Sequence, residues 1–154
     1  MNKTILIITT GKNALKALDI ANEFVENLVA DGSGHDYHTP LNYNGKPEDS
    51  GYFYTPKSMD DPYSREHIIT LLNDSKKRSL DWMREGIDCL NQMNYSRACV
   101  LFRIATESEM FQVFDYTDWT NGSPLVDTIE FNAMLEWSKR EELKLWVTGY
   151  KVHF

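Results

Sequence analysis

The strongest constraint on this chain lies at its start. Thr4-Ile5-Leu6-Ile7-Ile8-Thr9-Thr10 passes through Gly11-Lys12-Asn13 straight into a helix-period pattern from Ala14 to Val29. A short β-branched apolar run favours a buried strand. The helix behind it has an apolar stripe of Ala14, Leu18, Ala21, Val25 and Leu28, joined by Leu15, Ala17, Phe24 and Val29. Lys16, Asp19, Glu23 and Glu26 fall on the opposite side. Such a helix must lay its stripe on the sheet that holds the strand. Asn13 is placed to cap its start, and Asp31-Gly32-Ser33-Gly34 to end it. A sheet carrying helices is therefore the expected architecture.

Residues 31–63 differ in kind. They hold Pro40, Pro47, Pro56 and Pro62, the turn signal Asn44-Gly45, and Tyr37, Tyr43, Tyr52, Phe53, Tyr54 and Tyr63. Two basic residues face six acidic ones there. The pattern predicts a long excursion with one short hairpin, Leu41–Tyr43 against Tyr52–Tyr54. A helical pair follows, Arg65–Leu72 and Ser79–Met93, capped by Asp61 or Ser64 and interrupted at Asn73-Asp74-Ser75. Met83, Ile87 and Leu90 mark its buried side, with Trp82 beside them.

Arg97–Ala105 and Met110–Tyr116 are expected as two strands around Thr106–Glu109, because Ala98, Val100, Phe102 and Ile104 alternate. That turn lacks glycine, so a single helix across the region competes. Ser123-Pro124, after Asn121-Gly122, opens a final helix running to about Lys139. Ile129, Ala133, Met134 and Trp137 would face inward. Leu143–His153 closes the chain as a strand.

Without the middle, the order is strand, helix, strand, strand, helix, strand. This predicts one α+β domain over residues 1–154, with a mixed or antiparallel sheet of about four strands in split β-α-β (ferredoxin-like) order. The excursion would be a long insertion after the first helix. A three-layer or irregular α+β sheet is the alternative.

Composition narrows the partners. The 154 residues carry 16 Lys and Arg against 23 Asp and Glu, a formal charge of −7. Such a chain is repelled by nucleic-acid phosphates and anionic lipid, and is complementary to a basic protein surface. Cys89 and Cys99 sit in apolar segments and make neither a disulfide framework nor a metal spacing. They suit a reducing compartment. The N-terminal apolar run is too short for a secretory core, so a cytoplasmic protein is expected. No cofactor or metal is implied.

Four constellations bear on chemistry. Thr9, Thr10, Gly11, Lys12 and Asn13 offer N–H groups at a helix start, hydroxyls and one cation, a cradle for phosphate or carboxylate. They lack the glycines and the post-lysine hydroxyl of a phosphate loop, and equally form an ordinary strand-to-helix turn. His35-Asp36-Tyr37-His38 pairs histidine with aspartate, but no second segment completes a metal set. Asp115, Asp118 and the pair Asp60-Asp61 have the residue type for Mg²⁺ or proton transfer, and equally for caps and turns. The tyrosine-rich, acidic excursion has the composition of a binding loop.

Two functional expectations follow. The first is a small acidic binding protein of the inhibitor or adaptor type. It would contact a protein partner through Tyr43, Tyr52, Tyr54, Asp60 and Asp61. The second is a binder or hydrolase of a small phosphorylated ligand at Thr9–Asn13, assisted by Asp115 and Asp118.

Overall fold

The computed structural model describes residues 2–30, 37–40, 56–109 and 112–153. The central strand β1 (Asn2–Thr10) leads into α1 (Ala14–Ala30) as the apolar pattern requires. The strands that follow are β2 (Tyr37–Pro40), β3 (Lys57–Ser58), β4 (Val113–Tyr116), β5 (Ser123–Leu125) and β6 (Leu145–His153). They form one mixed sheet in the order β2-β6-β1-β4-β5, with β3 pairing the same edge of β6 as β2. The helices are α1, α2 (Pro62–Asn91), α3 (Tyr95–Arg103) and α4 (Thr128–Arg140), with a π-helical segment, Ile104–Glu109, extending α3.

The two-residue period of β1 sorts its side chains between two cores. Ile5 and Ile7 meet Ala21, Phe24 and Val25 of α1, together with Phe114, Tyr150 and Val152. Leu6 and Ile8 meet Ile68 and Leu72 of α2 and Phe131 and Met134 of α4, together with Val113, Leu125, Leu145 and Val147. All four β1 residues are essentially solvent-free. Each such side chain contributes about 1.5–3 kcal/mol of burial. The result is a three-layer arrangement, α1 on one face and α2 with α4 on the other.

The α+β class and the mixed sheet agree with the sequence; β1, α1 and β2 form a split β-α-β unit, with β2 parallel to β1 across the intervening β6, but the exact ferredoxin-like order of four strands is not reproduced. β1 and β4 are parallel and directly adjacent, from Leu6↔Val113 to Thr9↔Tyr116. No strand divides them. β5 instead returns antiparallel outside β4, and β6 covers the other edge of β1 over nine antiparallel pairs. Part of the proline- and tyrosine-rich excursion supplies the edge strands β2 and β3. The expected hairpin, Leu41–Tyr43 with Tyr52–Tyr54, lies outside the described residues.

Three local expectations are corrected. Residues 95–109 are helical throughout, because Ala98, Leu101 and Ala105 at helical spacing are the residues buried there. Asn94 caps this helix through Arg97 N–H. The break at Asn73-Asp74-Ser75 is absent: Ser75 is buried and α2 runs uninterrupted. Ser123-Pro124 lies in β5, and α4 starts at its cap Asp127. Phe131, Met134 and Ser138 are its buried residues; Ile129 and Ala133 point outward and Trp137 is half-buried.

Candidate interaction surface

Because β1 and β4 are parallel, the turn Thr9–Asn13 and the loop after Asp115 leave the same end of the sheet. That is the usual ligand position for parallel strands. Here, however, the polar groups are already engaged. The buried Thr9 hydroxyl donates to the Ala17 carbonyl at 3.3 Å. Asn13 Oδ1 accepts the Lys16 N–H at 3.0 Å, taking one of the helix-start donors an anion would use. Gly11 donates its N–H to the Lys144 carbonyl and accepts the Trp146 indole N–H at 2.9 Å. A Cβ on Gly11 would lie 2.9 Å from the Ala17 nitrogen, so close packing accounts for the glycine. Thr10 is half-buried, and Lys12 is exposed.

Asp115 is buried and holds together the loop that follows it. Its Oδ1 accepts from the Thr117 N–H at 3.0 Å and the Thr117 hydroxyl at 2.6 Å. Its Oδ2 accepts from the Thr120 N–H at 3.0 Å and the Thr120 hydroxyl at 2.8 Å. Four donors on one carboxylate are what a buried charge requires, and they leave little acceptor capacity for a metal or substrate. Asp118 is exposed on the turn this network shapes.

The excursion candidates are divided. Tyr43, Tyr52, Tyr54, His35 and Asp36 lie outside the described residues. Asp60 is exposed, and its backbone N–H reaches the Ser58 hydroxyl. Asp61 is the cap of α2, accepting from the Tyr63 N–H and the Ser64 hydroxyl. Nearby, a groove of about 430 Å³ runs along α2, lined by Tyr63, Glu66, His67, Thr70, Leu71 and Asp74. No group of three metal-ligating side chains converges among the described residues.

The surface that stands out is the α2–α3 hairpin. With 30 residues, α2 spans roughly 45 Å. Only its first half reaches the sheet: neither sheet core contains a residue of α2 beyond Leu72 or any residue of α3. Past that point α2 pairs with α3, which returns through a tight turn at Met93, φ 59°. The buried positions between the two helices are mostly small: Ser75, Ser79 and Gly86 on one side, Ala98, Leu101 and Ala105 on the other. The Ser79 hydroxyl donates to the Ala105 carbonyl at 2.9 Å. A Cβ on Gly86 would come within 2.8 Å of the Phe102 ring, so the ring sits where only glycine leaves space.

The large apolar side chains are correspondingly left outside. Leu80 is 43% exposed, Ile87 52%, Leu90 40% and Met93 75%. Ile87 and Leu90 were expected to be buried; Met83 and Trp82 are half-buried. Leu80, Met83, Ile87 and Leu90 recur at 3-4-3 spacing and so form one stripe along the helix. Around them the hairpin is basic. Residues 75–103 hold six Lys and Arg against three Asp and Glu, within a chain that is acidic as a whole. Arg84 with Asp81 at 3.0 Å, and Arg97 with Glu85 at 3.2 Å, form a charged rim.

Met83, Ile87 and Leu90 of this stripe are visible in the sequence as apolar periodicity; Leu80 is added by the structure. The exposure of the stripe is not visible there, because the small residues beside it close the hairpin first. Among the described residues no helix is long and apolar enough to cross a membrane. No protein-family profile, curated protein or solved structure matches the chain.

Proposed function

We propose that this protein is a non-catalytic interaction module whose contact surface is the α2–α3 hairpin. One observation carries the reading: α2 turns its small residues Ser75, Ser79 and Gly86 inward while its Leu80, Ile87 and Leu90 stay in water. A patch of apolar residues with a charged rim is the composition of a protein interface. A self-sufficient hairpin would bury its large side chains and expose its serines. The Thr9–Asn13 turn and Asp115 give the phosphate-ligand alternative less support, since their polar groups serve the fold. The unbonded Cys89 and Cys99 fit a reducing, cytoplasmic setting.

The test is affinity capture with the wild type and Leu80→Glu/Ile87→Glu, both exposed positions that a folded chain tolerates. Loss of specific partners in the double variant, with unchanged helical circular dichroism, supports the hairpin. Identical partner sets for both proteins remove it. Tyr52→Ala/Tyr54→Ala runs alongside; losses confined to that variant would move the interface to residues 31–63.

A further inference from the structure

We infer that the hairpin's occupant is a second copy of this chain, docked antiparallel along α2 to make a four-helix bundle from two hairpins. The inference rests on the interaction reading and names its partner.

The first argument is self-complementarity. A two-fold dimer requires a surface that matches its own reversal. The 3-4-3 spacing of Leu80, Met83, Ile87 and Leu90 is its own reversal, centred at residue 85. Antiparallel pairing sets Leu80 against the partner's Leu90, and Met83 against the partner's Ile87. These are the positions of a two-heptad coiled-coil seam.

The second argument is charge. Lys76, Lys77 and Arg78 lie at the N-terminal end of the seam, and α2 ends at Asn91. Reversal about residue 85 brings Lys77 and Arg78 beside the partner's Met93 and the partner's Gln92. There the last carbonyls of the partner's α2 carry the negative end of its dipole. Lys76 is held by Asp127 at 3.6 Å; parallel pairing would instead bring Lys77 and Arg78 toward their own copies.

The third argument is space and area. Residue 85 lies 13 residues past Leu72, roughly 20 Å beyond the last α2 residue in the sheet core. The two sheets are therefore carried toward opposite ends of the bundle. Pairing over 75–95 buries on the order of 1,200 Å² in total, the lower end for a specific stable interface. Micromolar dissociation is expected.

Sedimentation equilibrium from about 1 to 200 µM tests this. The wild type should pass from monomer to dimer across that range, and Ile87→Glu should weaken the dimer by at least about tenfold. A wild type that stays monomeric throughout, or a dimer indifferent to Ile87→Glu, overturns the inference. The capture experiment still judges the wider interaction reading in either case. For orientation, Cys89 and Cys99 are replaced by serine. Leu80→Cys/Leu90→Cys should then oxidise to a covalent dimer while Leu80→Cys alone does not; cross-linking by Leu80→Cys alone overturns the antiparallel sense.

Discussion

The Trp146 indole N–H donates to the Gly11 carbonyl at 2.9 Å, joining the start of β6 to the turn after β1 across 135 residues of sequence. The Lys144 ammonium lies 4.8 Å from the same ring. With the Gly11 N–H bond to the Lys144 carbonyl, this side chain ties the β1–α1 turn to the sheet. Trp146→Phe keeps an aromatic ring and removes the donor. It should cost about 1–2 kcal/mol, read as a lower urea midpoint. An unchanged midpoint would show that the turn is held without it.

Asp115 leads to a larger effect. Asp115→Asn presents an amide NH₂ where at least one N–H or O–H donor now points at a carboxylate oxygen. The loss of charge-assisted bonds should destabilise by about 2–4 kcal/mol, with a Tm drop of roughly 4–16 °C for a chain of this size. If Asp115 were a ligand-binding acid and not a structural one, Tm would hardly move.

Asp127 supplies a pH dependence. Its carboxylate accepts the Glu130 N–H, and that bond lowers its pKa most. Burial opposes it, and Lys76 and the Ile129 N–H lower it further. The folded pKa therefore lies below the unfolded value of about 4. The stabilisation is present above the unfolded pKa and is lost as pH falls through the folded one. Asp127→Asn keeps a capping side chain without the charge. The stability gap between wild type and this variant should shrink below about pH 4 in denaturation series at pH 3 and pH 7. A gap independent of pH would contradict the assignment.

Thr148 offers a stabilising change. It is buried on β6, and its hydroxyl has no hydrogen-bond partner among the described residues. Thr148→Val keeps the β-branched shape and removes the unsatisfied group. It should raise stability by about 1 kcal/mol, a Tm gain of roughly 2–4 °C. A lower Tm would indicate that the hydroxyl is bonded in solution.

How much of this could be read from residue order depends on range. The Asn13 and Asp61 caps act over two or three residues, and both are present where the sequence places them. The sheet-facing alternation of Ile5–Ile8 was equally legible, since it needs only a sheet and not a particular neighbour. The segment 95–105 was ambiguous for a physical reason. Ala98, Val100, Phe102 and Ile104 fit a strand, while Ala98, Leu101 and Ala105 fit a helix. Packing against Ser79 and Gly86, far away in sequence, decides between them. Asp115 could be recognised as a candidate acid, but its four donors come from a loop whose path no spacing rule specifies.

Residue order therefore settles the strand-then-helix start and the capped helix beginnings, because those depend on hydrogen bonds and periodicity within a few residues. Contacts between distant segments settle the rest. They place β4 beside β1, keep α2 whole through Asn73-Asp74-Ser75, and turn Leu80, Ile87 and Leu90 outward. The reason is competition. An apolar side chain is satisfied by any dry neighbour, and only the assembled fold shows that the small residues of α2 claimed α3 first.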